Sequence, residues 1–178
     1  LALALPGAQT AGASSLTISE FMAQNESTLL DVDGEASDWV EIFNSSSETV
    51  NLEGWSLTDE VWNPRKWVFP AVGLEPGHYL VVFASAKYRP GAGELHANFK
   101  LDADGEYLGL FEPDGQTVAA EFSPTFPPQK EDISFGLGQR SLPGGLVSAG
   151  SAAAVLVPTG PSLGLAWTGG HEPFDDSA

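Results

Sequence analysis

At 178 residues, 42% of them hydrophobic, the chain is long enough to bury one well-filled core. Twenty-four acidic against seven basic residues give a net charge of −17, which argues against nucleic acid as a partner, because a polyphosphate needs a basic face to displace its counterions. The absence of cysteine removes disulfides, thiolate nucleophiles and thiolate metal sites, and no apolar run approaches the roughly 18 residues of a membrane span, so no membrane insertion is expected.

The chain opens on an apolar run, Leu1 to Leu5, then Pro6-Gly7, and Ala11-Gly12-Ala13 follows as a small-x-small triplet. Together they read as the remnant of an export signal over residues 1–13, cut near Ser14, which implies a secreted or cell-surface protein. From Leu16 onward, short β-branched and aromatic runs alternate with Gly, Pro, Asn and Asp clusters, and helix-period stretches are absent. Strands are predicted at 17–22, 38–44, 50–52, 55–58, 67–69, 79–84, 98–101, 107–111, 117–122 and 133–135.

In the second of these, Val40 and Ile42 share a face opposite Trp39, Glu41 and Phe43, and the aliphatic face is expected to point inward. Tyr79 to Phe83 is apolar on both faces, as in a central strand. Glu112-Pro113-Asp114-Gly115-Gln116 predicts a hairpin, with Pro presetting the turn and Gly taking its left-handed position. Asp104-Gly105 predicts a second hairpin, between 99–101 and 107–110. With no crossover helices, these strands point to an all-β fold of two antiparallel sheets packed face to face. A Gly, Ala and Ser-rich stretch follows. It divides the chain into a first domain at 14–138, a linker at 139–154 and, at 155–178, the start of a truncated second β domain.

The densest carboxylate cluster is Asp31, Asp33, Glu35 and Asp38. Calcium takes six to eight oxygens, often from alternate residues of a turn, so Asp31, Asp33 and Asp38 are the candidate calcium ligands. The glycine stands at the fourth loop position rather than the sixth of an EF-hand, and a solvated Asp-Gly turn produces the same pattern. Asp102, Asp104 and Glu106 repeat it. Trp62 lies on a Pro-stiffened loop, placed to stack on a sugar or a partner side chain, or to plug the sandwich edge; Tyr88 is a second loop aromatic. His78, His96 and His171 have no metal-pair spacing, and no nucleophile elbow, phosphate loop or zinc helix occurs. No catalytic residue is assigned, and the chain is not expected to be an enzyme.

The spaced elements Ile18-Ser19-Glu20-Phe21, Asp38-Trp39-Val40-Glu41-Ile42-Phe43-Asn44, Gly54-Trp55-Ser56-Leu57-Thr58-Asp59, Lys66-Trp67-Val68-Phe69-Pro70 and Tyr79-Leu80-Val81-Val82-Phe83 carry a family resemblance, which continues through Pro113-Asp114-Gly115 to Ser134-Phe135-Gly136. The chain resembles the lamin tail domain in its secreted bacterial form. The resemblance implies an immunoglobulin-like antiparallel β-sandwich, used as an accessory module of exported proteins, with no catalytic residues to carry over. The tail is similar to the opening of a jelly-roll domain of large surface proteins. The expected function is a non-catalytic module that attaches a larger protein to a protein or a cell-surface polymer. Two alternatives stand beside it: a carbohydrate-binding module, and a structural spacer stiffened by calcium.

Overall fold

The computed structural model describes residues 9–11, 14–87, 89 and 93–136. The expected linker and second domain at 139–178, and Tyr88, lie outside the described residues. Among those described there is no helix, and the strands run β1 (Gln9–Ala11), β2 (Leu16–Met22), β3 (Asp38–Asn44), β4 (Val50–Asn51), β5 (Ser56–Thr58), β6 (Trp67–Val68), β7 (Gly73–Leu74), β8 (Tyr79–Ala84), β9 (Leu95–His96), β10 (Leu108–Phe111), β11 (Val118–Phe122) and β12 (Phe135–Gly136). One sheet has the order β1-β11-β10-β5-β6 and the other β12-β2-β3-β8-β9, with β4 and β7 forming a small ribbon. The expected all-β sandwich is the fold observed.

Alternation sets the core. Val40 and Ile42 of β3 point inward and are fully buried in the same core cluster as Leu57, Leu110 and Ala120 of the facing sheet. On the outer face Trp39 is covered by Met22, Phe83 and Val81, which form a second, smaller apolar cluster. A register shift in β2 between Ile18 and Glu20 makes a bulge. It lets Leu16, Ile18 and Phe21 all face inward although the last two are three residues apart. Phe21 then meets Phe122 of the facing sheet at 5.1 Å, Phe126 at 4.7 Å and Phe135 at 5.5 Å between ring centroids.

The predicted turn at Pro113 to Gly115 joins β10 to β11. Gly115 donates to the Glu112 carbonyl at φ +68°, and the Asp114 carboxylate accepts the Gln116 and Thr117 amides at 2.8 Å. Other expectations need correcting. Residues 98–101 form no strand, because Leu101 donates its amide to the Asp38 carboxylate and the Asn98 side chain binds the Lys66 carbonyl. The strand there is β9, three residues earlier, and it pairs parallel to β8. Asp104-Gly105 does turn, with Gly105 donating to Asp102, but it closes no hairpin: β10 pairs with β5 and β11 instead. β1, within the segment assigned to an export signal, pairs with β11 and was not anticipated.

Strand directions place the turns. β2, β5, β8 and β11 finish at one end of the sandwich, and β3, β6, β10 and β12 begin there. Bonds from Asn98 to Lys66, from Ala86 to Phe99 and from Asp132 to Gln24 tie the loops of the two sheets together at this loop end. The opposite, hairpin end holds the β10–β11 turn and the β4–β7 ribbon.

Gly105 has φ +103°, and a Cβ there would collide with the Phe126 carbonyl oxygen. Gly105→Ala is therefore expected to destabilise the domain by about 2 kcal/mol or more, from backbone strain and the collision together, as a lower denaturation midpoint at unchanged m-value.

Candidate functional site

Of the seven large hydrophobic residues left exposed among those described, Leu29, Leu30, Val32, Val61, Trp62 and Ile133 all lie on loops of the loop end; Tyr79 is the exception. Two groups of ion pairs brace that end.

The first is the acidic turn. Gly34 closes it by donating to the Asp31 carbonyl at 2.8 Å. The Asp31 side chain is fully buried, and its Oδ1 accepts the amides of Asp33 and Glu35 at 3.0 Å each. Lys87 Nζ then donates to the other Asp31 oxygen, to Asp33 at 2.8 Å and to Glu35 at 3.0 Å, and Arg89 pairs with Asp33 at 2.8 Å. The cation at the centre of the turn is thus an ammonium. Asp38, the third candidate calcium ligand, is directed elsewhere, accepting the Asn25 and Leu101 amides at 3.4 and 3.2 Å. Asp31 and Asp33 come together on Lys87 while Asp38 does not join them, and no group of three or more His, Cys, Asp or Glu residues with the arrangement of a metal site occurs among the described residues.

Burial pushes the Asp31 carboxyl up, but the Lys87 bond and the two amides outweigh it and leave the group below its ordinary 3.8. Lys87 and Arg89 hold the Asp33 carboxyl down at about 2. Lys87 is in turn raised, its three carboxylate partners overcoming its own burial.

Behind this turn, His96 is 1% exposed, stacks on Phe83 at 5.4 Å between centroids, and shares a 2.9 Å hydrogen bond between its Nδ1 and the Ser85 hydroxyl. Its Nε2 lies 3.7 Å from the Glu94 carboxylate. Ser, His and Glu in that sequence have the outline of a hydrolytic triad. Yet Ser85 is buried, its hydroxyl also accepts the Lys87 amide at 3.3 Å, and Glu94 accepts the Val32 amide at 2.6 Å. These bonds fasten β9 and the acidic turn to β8. The spacing of the three residues is irregular, and no local pattern marks the cluster in the sequence.

The second braced group forms a cleft. The loop between β5 and β6 folds back over β5: Ser56 donates to the Pro64 carbonyl at 2.8 Å and Thr58 to that of Glu60 at 3.0 Å. Lys66 anchors the loop through Asp59 at 2.7 Å and Glu60 at 2.8 Å, and its ammonium lies 5.5 Å from the Phe99 ring centroid. Trp62, at the loop tip, is 80% exposed. It lines a cavity of about 470 Å³ with Asp59, Glu60, Glu106, Tyr107 and Thr125. Tyr107 is held in place by donating its hydroxyl to Glu121 at 2.8 Å. Glu106 accepts the Asp102 amide at 2.8 Å. Its carboxyl is pushed up to about 7, mainly by burial and further by the charges of Asp59 and Asp102, against the pull of that amide and of Lys66. Trp62 was a candidate in the sequence; Glu106 figured there only as part of a second calcium-like turn.

Residues 9–124 match the family model described as Lamin Tail Domain, which covers well over half of the chain. No curated protein matches the chain.

The carboxylates of the acidic turn and Glu106 of the cleft titrate in opposite senses. Asp31 and Asp33 lie below their ordinary 3.8, so their stabilisation is complete above that value and is lost as the pH falls from about 4 toward 2. Glu106 holds its proton more tightly in the native state, so its contribution declines as the pH rises from about 4.5 to about 7. In thermal melts across this range, Glu106→Gln is expected to raise the midpoint at pH 8 and leave it nearly unchanged at pH 4. Lys87→Ala strands a buried carboxylate and is expected to cost on the order of 3 kcal/mol at pH 7. The wild-type midpoint is expected to be the same in millimolar calcium and in EDTA, since Lys87 occupies the turn; a calcium-specific rise would show the ammonium displaced.

Proposed function

The chain belongs to the lamin tail domain family, and on that premise we propose that it is a non-catalytic module that attaches a larger, exported protein to a protein or a surface polymer through its loop end. The observation that carries this reading is Trp62, 80% exposed on a loop that Lys66 ties down at both Asp59 and Glu60. Exposing an indole forfeits the burial that makes tryptophan favourable in a fold, and such a side chain on a braced loop is suited to contact a partner. Five more exposed apolar residues share that end of the sandwich, which supports a contact surface wider than the cleft. Loops carried by a rigid scaffold are the common place for such surfaces.

Export is supported by the apolar run Leu1 to Leu5. A cut near Ser14 would remove β1, whereas one ahead of Gln9 would keep it. A carbohydrate-binding module is the second reading, favoured by the same exposed indole, whose flat face suits the apolar face of a pyranose.

Both readings predict retention of the full 178-residue chain on at least one member of a panel of immobilised cellulose, chitin, peptidoglycan and polylysine. Trp62→Ala is expected to weaken that retention at least five-fold while leaving the thermal midpoint unchanged. Retention indifferent to Trp62 would overturn the assignment of the cleft.

A further inference from the structure

The lining of the Trp62 cleft restricts the chemistry of what it can hold. Its charged side chains are Asp59, Glu60 and Glu106, and carboxylates are hydrogen-bond acceptors only when ionised. Tyr107 spends its hydroxyl proton on Glu121, away from any ligand. A neutral sugar presents acceptors as well as donors, and among these side chains only the Thr125 hydroxyl and the Trp62 indole N–H could serve its acceptors when the carboxyls are ionised. An ammonium or guanidinium group presents donors alone.

Two further observations point the same way. Lys66 pairs with Asp59 and Glu60, but Glu106 forms no ion pair among the described residues and feels Lys66 only from a distance. Beside it stands an exposed indole, the aromatic ring that attracts a cation most strongly. A net charge of −17 adds a long-range field that draws cations toward the molecule as a whole.

We infer that the cleft receives the ammonium or guanidinium of a lysine or arginine side chain from a basic polypeptide segment, laid on the face of Trp62 with its charge toward Glu106. This rests on the attachment reading above and narrows it to a protein partner. The cavity, about 470 Å³, lies within the range of about 300–1,000 Å³ usual for ligand sites. Binding is expected to strengthen between pH 6 and pH 8 as Glu106 ionises. Asp59, Glu60 and Asp102 add negative charge around that group, and Lys66 is the opposing one.

The test is calorimetric titration of the full chain with a capped hexalysine peptide and with a neutral β-1,4-linked glucose hexamer, at pH 6 and pH 8 and at two salt concentrations. Trp62→Ala leaves the net charge untouched and is expected to weaken hexalysine binding at least five-fold. Glu106→Gln is expected to weaken it several-fold and to flatten its pH dependence. Glu48→Gln removes an equal charge from an exposed residue at the hairpin end and is expected to change little. If Trp62→Ala has no effect, or Glu48→Gln matches Glu106→Gln, hexalysine is binding the diffuse surface charge and the inference fails. If the glucose hexamer binds in a Trp62-dependent way and hexalysine does not, the cleft remains the attachment site and only the cationic ligand is overturned. If neither hexamer nor any surface of the earlier panel depends on Trp62, both readings fall.

Discussion

The packing of Phe21 across the sandwich is the contact from which the rest of the architecture extends. The bulge in β2 turns this ring inward, where it touches Phe122 of the opposite sheet, Phe135 of β12 and Phe126 of the connecting loop. The consequences reach the surface. Phe126 donates its amide to the Glu106 carbonyl at 2.8 Å, so the ring that closes the core also fixes the backbone of the cleft's carboxylate. The glycine just before Glu106 has no room for a side chain because the Phe126 carbonyl lies against it. An aromatic cluster thus positions a polar site without contributing an atom to its lining.

The loop end combines features that oppose one another energetically. Exposed apolar side chains forgo the burial that would favour them, while the ion pairs at Lys66 and Lys87 fix the loops that carry several of them. Isolated surface pairs contribute little, about 0–1 kcal/mol each, but both ammonium groups here are mostly buried and each is shared among several carboxylates. Three of the seven basic residues, Lys66, Lys87 and Arg89, are engaged in this way.

Patterns local in sequence were readable before the structure; contacts across the fold were not. The inward face of Val40 and Ile42, the Pro113 to Gly115 hairpin and the sandwich class follow from period-two alternation and turn chemistry. The strand expected at 98–101 has suitable residues, but Asp38 captures the Leu101 amide from sixty-three residues away. Asp31 and Asp33 look like cation ligands in the sequence, and they do hold a cation, the ammonium of Lys87, some fifty residues distant. The distances in sequence explain why spacing could pick out Asp31 and Asp33 but not the lysine that pairs with them, nor that Asp38 turns away. Trp62 could be singled out because Asn63 and Pro64 mark a loop, whereas Glu106 acquires its role only when β10 and the β5–β6 loop meet.

The directions of β1 and β12, the first and last of the described strands, bear on how the module would carry load. β1 runs from the loop end toward the hairpin end, since Gln9 lies opposite Phe122 and Ala11 opposite Ala120. β12 runs the same way, from Phe135 beside Phe21 to Gly136 beside Glu20. Among the described residues the polypeptide therefore enters at one end of the sandwich and leaves at the other, with β1 and β12 in different sheets. Tension applied through the backbone would act along both strands, loading their cross-strand hydrogen bonds together in shear rather than peeling them open in turn. A module strung in series in this orientation would resist extension while presenting the Trp62 cleft beside its point of entry.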